Sequence, residues 1–289
     1  MKPAPFAYHA PPTAADAVAV LAEFGDDAKV LAGGQSLVPM LALRLARPAC
    51  LVDVNRVPEL ASVRRDDDHL VVGATTRHAS LERSAEISAA VPLLRLAAPY
   101  IGHFQIRNRG TLGGSLAHAD PAAELPAVVR ALDAEIITEG PSGRRAIPAA
   151  EFFQMVFTTV LAPEELLTAV RFPLWGRGAG FAVEEIARRH GDFALAGAVC
   201  AAQVADGRLT RVALAMFGMG SVPERLDALE RSLTGIEVAD LDLDEVGEQG
   251  VAALEPPSDV HATGHYRKKI GAVLIGRALA AAIKETSPA

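Results

Sequence analysis

The sequence predicts an α+β protein in two parts, a mixed strand–helix half followed by a smaller half of sheet plus helices. Three observations carry this expectation. Strand and helix patterns alternate from Ala14 to Val54. Two glycine-rich turns, Gly33-Gly34 and Gly110 to Ser115, each precede a helical pattern. Beyond the run Pro173–Gly180 come three β-rich segments and then only helices.

Pro11-Pro12-Thr13 followed by Ala14–Phe24 and Gly25 reads as a capped helix, with Thr13 at the N-cap, Asp16 in the first turn and Gly25 just past the end. Its residues Ala17, Val18, Leu21 and Phe24 share one face at helical spacing. A strand at 29–32 runs into Gly33-Gly34, 37–46 is helical and 51–54 is a second buried strand, together a small parallel α/β unit. A strand at 70–74 ends near Thr75-Thr76, and helices follow at 77–84 and 92–101. Gly110–Ser115 reads as a loop, and Pro121–Leu132 as a helix with Glu124 in its first turn. Strands at 134–138 and 166–172 close this half, and the stretch PLWGRGAG (Pro173–Gly180) is the linker. Strands follow at 181–188, 195–204 and 209–216, the last two joined by Ala205-Asp206-Gly207-Arg208, where Asp-Gly between β-rich runs signals a hairpin. Helices at 223–233, 241–254 and 266–283 finish the chain, which contains no internal repeat.

The chain has 289 residues, 50% of them apolar, and a mean hydropathy of +0.22, enough to bury one large core or two modest ones. With 24 glycines and 19 prolines it lies far from low-complexity composition, which excludes bulk disorder. A net charge of −7 gives no electrostatic footprint for nucleic acid. The two cysteines, Cys50 and Cys200, are too far apart for a CxxC site and too few for an iron–sulfur cluster, so any electron carrier on this chain is organic. Met1–Ala10 lacks the apolar core of a signal peptide, and the apolar stretch Ile270–Ile283 is broken by Arg277 and shorter than the ~20 residues of a membrane span. A cytoplasmic protein without a membrane span is the expectation.

The chemistry-bearing features are the glycine turns. In Ala32-Gly33-Gly34-Gln35-Ser36, paired glycines allow close backbone approach, and successive amides ahead of a helix can cradle a pyrophosphate. A tight strand-to-helix turn that binds nothing would look the same. In Gly110-Thr111-Leu112-Gly113-Gly114-Ser115, hydroxyls join a second glycine pair, which suits phosphate or flavin oxygens. Neither turn matches GxGxxG or GxxxxGK[ST], so a Rossmann site and a P-loop are both disfavoured. His118, Asp120 and Glu124 could be drawn as a metal trio, but Pro121 interrupts the spacing and helix capping by Asp120 explains it better. Asp66-Asp67-Asp68 reads as a solvated turn and Met216 and Met219 as core filler, while Arg188–Phe193, polar then aromatic at a strand junction, is either a surface loop or a functional segment, and residue chemistry alone does not choose.

Lys29-Val-Leu-Ala-Gly-Gly-Gln-Ser-Leu37, Gln105-Ile-Arg-Asn-Arg-Gly-Thr-Leu-Gly-Gly-Ser115 and Ala117-His-Ala-Asp-Pro-Ala-Ala-Glu-Leu-Pro126 resemble the flavin subunit of the molybdenum hydroxylases, in particular the medium subunit of aerobic carbon monoxide dehydrogenases. The likeness covers the whole chain, since Arg188–Gly197 and Tyr266–Ala280 resemble the family's C-terminal domain. It implies an FAD-binding domain of the p-cresol methylhydroxylase type, of two α/β subdomains, over residues 1–175. A smaller domain of antiparallel sheet plus helices would occupy 180–285. By that resemblance Lys29, Val30, Leu31, Ala32, Gly33, Gly34, Gln35 and Ser36 would wrap the diphosphate and adenosine side of FAD. Thr111, Gly113, Gly114 and Ser115 would hold the diphosphate and ribityl region, with His118 close by and Ile101 also at the cofactor. Glu124 stands where many relatives carry Asp for a ribose or ribityl hydroxyl. Leu167 matches a position on the adenine side, and Phe193 one near the isoalloxazine. Leu195 replaces a flavin-proximal Lys of eukaryotic xanthine dehydrogenases, which weakens any expectation of NAD reduction.

The resemblance also implies an electron relay. A large molybdopterin-binding subunit would act on the substrate, and a small subunit with two [2Fe–2S] clusters would carry the electrons. FAD on this chain would pass them to an acceptor, in a dimer of heterotrimers; the chain itself would contribute no acid–base pair. A free-standing FAD oxidoreductase and a non-catalytic nucleotide-binding assembly subunit are the alternatives.

Overall fold

The computed structural model describes residues 2–286, so the reading of Met1 lies outside the described residues. Strand β1 (Ala7–His9), helix α1 (Ala14–Phe24), strand β2 (Ala28–Leu31), helix α2 (Leu37–Ala42) and strand β3 (Cys50–Asp53) form the first unit. The strands make a parallel sheet in the order β1-β3-β2. Thr13 caps α1 by accepting from the Asp16 amide at 3.1 Å, and α1 buries Ala14, Ala17, Val18 and Leu21 against Cys50, Val52 and Val54. Helix α2 is four residues shorter than the pattern suggested, because Arg44 turns left-handed at φ 57°.

Strands β4 (Val63–Asp66) and β5 (His69–Gly73) form a hairpin whose turn contains Asp67 at φ 50°, the solvated turn the Asp triplet suggested. Then come helices α3 (His78–Arg83), α4 (Ala85–Ala90), α5 (Pro92–Ala97) and α6 (Phe104–Arg107), of which α4 and α6 lie outside the helices the sequence predicts. Helix α7 (Leu112–His118) starts inside the segment read as a loop, so Gly113, Gly114 and Ser115 are helical. Helix α8 (Glu124–Ala131) begins three residues later than predicted, because Asp120 caps a turn, accepting from the Ala122 amide at 2.9 Å, and not the helix. Strands β6 (Glu135–Gly140) and β7 (Gly143–Pro148), helix α9 (Ala149–Phe152), the small ribbon β8 (Phe153–Met155) with β9 (Thr158–Thr159), and β10 (Leu166–Pro173) complete this half. Its second sheet is antiparallel, in the order β4-β5-β10-β6-β7.

Beyond the linker, β11 (Gly180–Ala187), β12 (Ala194–Ala205), β13 (Arg208–Phe217) and β14 (Glu224–Arg225) form an antiparallel sheet. Asp206 and Gly207, both at positive φ, make the β12–β13 turn. The segment from Pro223 does not start a helix: Glu224 and Arg225 pair with Met216 and Ala215. Helices α10 (Asp227–Leu233), α11 (Leu243–Val251) and α12 (Gly264–Glu285) cover the outer face, with Met216 and Met219 filling the gap over Gly271. The inner face is different. Val183, Val199, Ala213 and Phe217 join Leu70, Leu93, Val128 and Phe172 in one core that crosses from the first half into the second.

Candidate cofactor site

The two glycine turns meet backbone to backbone. A Cβ on Gly33 would stand 2.5 Å from the Arg109 carbonyl oxygen and 2.7 Å from Gly110 Cα. Gly34 follows at φ +73°, a conformation glycine adopts without penalty. Gly113 is pressed on Ala74, which lets its amide donate to the Ala74 carbonyl at 2.8 Å. Gly114 lies over its own cap, Thr111, with Ala32 beyond. The glycines therefore serve the nesting of one segment in the other before they serve any ligand.

A polar brace locks this junction from behind. Asn55 Nδ2 donates to the Ala32 carbonyl at 2.7 Å, and Asn55 Oδ1 accepts from Arg77 Nη2 at 2.7 Å. The other terminal nitrogen of Arg77 donates to the Arg109 carbonyl. Asp53 accepts from Tyr8 Oη at 2.6 Å and from the Asn55 amide at 2.9 Å. Burial would raise the Asp53 carboxyl, but these hydrogen bonds outweigh it and hold the group below its ordinary value. Asn55 and Arg77 are bracing residues the sequence does not announce; they are 22 positions apart and belong to no motif.

The amides in the first turn of α7 are already spent. Leu112 donates to the Thr76 carbonyl at 3.0 Å, Gly113 to Ala74, Gly114 to Thr111 Oγ1 at 3.1 Å and Ser115 to the Thr111 carbonyl at 3.0 Å. The free donors are in the other turn, where the amides of Gly33, Gly34, Gln35 and Ser36 meet no acceptor among the described residues. Successive unpartnered amides in a turn cradle an anion. Thr76 Oγ1, in the segment that receives the Leu112 amide, is buried and unpartnered too. These groups fit the diphosphate of a dinucleotide cofactor. His78 supports the junction from the protein side. Its Nε2 donates to the Thr111 carbonyl at 2.9 Å, and burial pushes its pKa down to about 4, so the ring is neutral at pH 7.

A second region opens between the halves. A cleft of about 250 Å³ is lined by Tyr100, Glu185, Ile186, Ala187, Arg189, His190 and Gly191. The exposed loop that holds Gly191 packs on Gly102 and His103, which brings Ile101 and Phe193 to the same neighbourhood; Phe193 is 69% exposed. Glu124, the first residue of α8, is only 8% exposed, and burial raises its carboxyl to about pKa 7, with Asp120 adding to the rise. His118 ends α7 half-buried and stacked on Phe157 at 4.9 Å between centroids, and burial lowers its pKa.

The remaining sequence candidates divide. Lys29, Val30 and Leu31 are on β2 leading into the free amides, with Lys29 exposed and Val30 packed on the core. Leu167 is buried at a bulge of β10 within the shared core, and Leu195 is buried on β12. Among the described residues no group of three His, Cys, Asp or Glu side chains could hold a metal ion, and no helix is long and apolar enough to cross a membrane.

The chain matches known proteins along its length. The family described as the FAD binding domain in molybdopterin dehydrogenase matches residues 4–175, and the CO dehydrogenase flavoprotein C-terminal domain matches residues 181–282. The chain is 42% identical to the 6-hydroxypseudooxynicotine dehydrogenase complex subunit alpha of Paenarthrobacter nicotinovorans, over 100% of this chain and 98% of the relative. It is 36% identical to the carbon monoxide dehydrogenase medium chain of Hydrogenophaga pseudoflava, over 98% of each. Among solved structures, carbon monoxide dehydrogenase from Hydrogenophaga pseudoflava superposes with a TM-score of 0.96 at 37% identity, covering 99% of this chain and 100% of that chain. Quinoline 2-oxidoreductase from Pseudomonas putida 86 gives 0.93 at 33% identity, covering 98% and 99%. The chain belongs to the FAD-binding family of the molybdopterin dehydrogenases, of the carbon monoxide dehydrogenase medium-chain kind, and is an oxidoreductase subunit.

Proposed function

We propose that this chain is the electron-transferring flavin subunit of a molybdenum hydroxylase, taking electrons from a [2Fe–2S] partner subunit and passing them to an external acceptor. The observation that carries the reading is the row of free amides at Gly33–Ser36, in a turn pressed against the Arg109–Gly110 backbone that leads into the Thr111–Ser115 turn. Gly33, Gly34, Gln35 and Ser36 would hold the FAD diphosphate, with Lys29–Ala32 toward the adenosine. Thr111, Gly113, Gly114 and Ser115 would shape the ribityl passage beside His118 and Glu124. Ile101 and Phe193 would border the ring system, and Leu167 would support the adenine side through the core. FAD supplies the redox chemistry when bound; the chain binds it, orients it and shields it.

The domain division belongs at the linker, with 1–175 binding FAD and 180–285 closing the cleft. The large molybdopterin-binding subunit and the small subunit with two [2Fe–2S] clusters complete a cytoplasmic dimer of heterotrimers. An absorbance spectrum of native protein purified through a tag on this chain tests the reading. Flavin bands with an iron–sulfur shoulder, bleaching together on reduction, are expected. Flavin bands alone would favour a free-standing FAD oxidoreductase, and a colourless protein that takes up no added FAD would remove the flavin reading.

A further inference from the structure

Strand β11 alternates as a half-buried strand should. Ala182 and Ile186 face α12 and the outer core, while Phe181 and Val183 face the core shared with the first half. The next residue in that inward row is Glu185. It breaks the apolar pattern at the point where the sheet meets Tyr100, whose hydroxyl donates to the Val183 carbonyl at 3.3 Å. Glu185 Oε2 is fully buried and has no hydrogen-bond partner among the described residues, and the side chain lines the cleft. An orphaned carboxyl oxygen in an otherwise apolar row costs stability unless something outside the chain satisfies it. Glu124 is a second buried carboxyl close enough to act on Glu185. It is more than nine-tenths buried at the start of α8, and the hydrogen bond that lowers its pKa comes from its own backbone.

We propose that Glu185 is an unassigned cofactor-binding residue, whose protonated carboxyl donates a hydrogen bond to a carbonyl or ring nitrogen of the flavin in the cleft. The inference rests on the flavin reading above and adds a ligand to it. The proton stays because burial disfavours the ionised carboxyl and no cation among the described residues hydrogen-bonds Oε2. Burial, with repulsion from the Glu124 carboxyl contributing, raises Glu185 to about pKa 8. Titratable and charged groups around Glu185 are Glu124 from α8, Tyr100 ahead of α6, and Arg189 and His190 from the loop that ends the strand. None of them hydrogen-bonds Oε2. A neutral carboxyl is a hydrogen-bond donor, which a flavin carbonyl or ring nitrogen can accept.

The test is FAD affinity against pH for the protein carrying this chain, stripped of flavin and titrated between pH 6.5 and 9.5 with flavin fluorescence as the readout. Wild-type affinity is expected to be flat below about pH 8 and to fall toward tenfold per pH unit above it, as the donor proton is lost. Glu185→Gln keeps a donor that does not titrate, so it is expected to bind within about threefold of wild type at pH 7 and to lose the alkaline slope. Glu185→Ala is expected to bind about tenfold more weakly at pH 7. Thermal melting at pH 8 is expected to show both variants at least as stable as wild type, because a buried carboxyl has been removed. A Glu185→Gln profile that keeps the wild-type slope, a wild-type profile without one, or a Glu185→Ala protein that binds as wild type does would each overturn the inference while leaving the flavin reading intact. Failure of the wild type to bind FAD at any pH would overturn that reading itself.

Discussion

Gly33 sets how closely the two turns approach, and its replacement shows what the closeness is for. A methyl group there would meet the Arg109 carbonyl at 2.5 Å, and neither partner can yield because both are backbone. Gly33→Ala is expected to cost about 1–3 kcal/mol of stability and to weaken FAD binding by at least tenfold; unchanged affinity in a titration would mean that the free amides work without the second turn. His78 sits on the other side of the same junction. The unfolded chain takes up its proton near pH 6.5, while burial holds the folded value at about 4. Stability is therefore lost as pH falls through that window, by about 3 kcal/mol for this group. His78→Gln, which retains a donor for the Thr111 carbonyl, is expected to flatten that part of a pH–melting curve. The glycine pairs were legible because their residue types are rare together. Asn55, Arg77 and His78 were not, because each earns its role only from a partner more than 20 residues away.

Among the elements, those governed by local chemistry were readable and those made by tertiary contact were not. Thr13 and Gly25 bracket α1 as capping rules require, and Asp206-Gly207 turns the hairpin. Helix α7 defied the reading because Gly113 and Gly114 lower intrinsic helicity. What forms it is a Thr111 cap, a bridge from Thr111 to Arg77 and two amides anchored on Thr76 and Ala74. The same logic turned the segment after Pro223 into a strand, since Arg225 is held by Glu230 and by the carbonyls of Arg130 and Ala131. Thr111→Val keeps the volume and removes the cap. It is expected to cost about 1 kcal/mol and to weaken FAD binding several-fold through the displaced Gly114. A differential scan paired with a flavin titration checks both, and a stability loss without an affinity loss would place α7 outside the cofactor's support.

Across the whole molecule, the linker residue Trp175 is where the two halves become one folding unit. It was predicted as connecting chain, yet it is 6% exposed and belongs to the shared core. Phe181 meets its ring edge-on at 6.1 Å, and the Arg211 guanidinium lies 3.8 Å over its face. Burial lowers the Arg211 pKa from its ordinary value, and the guanidinium over the indole makes a cation–π contact. Further ties run beside it: the Gly218 amide donates to the Pro121 carbonyl at 2.7 Å, and Arg225 reaches the carbonyls at the end of α8. A cleft bounded by both halves needs this rigidity, since Tyr100 and Glu185 come from opposite sides of it. Two domains joined only by a flexible linker would melt separately; a continuous core predicts one cooperative transition for the whole chain. Trp175→Ala should remove about 3–5 kcal/mol from that single transition and lower FAD affinity with it, although the residue touches neither glycine turn. Calorimetry that resolved two transitions in the wild type, with only the second shifted by the substitution, would show instead that the halves fold independently and that the cleft closes only when the cofactor draws them together.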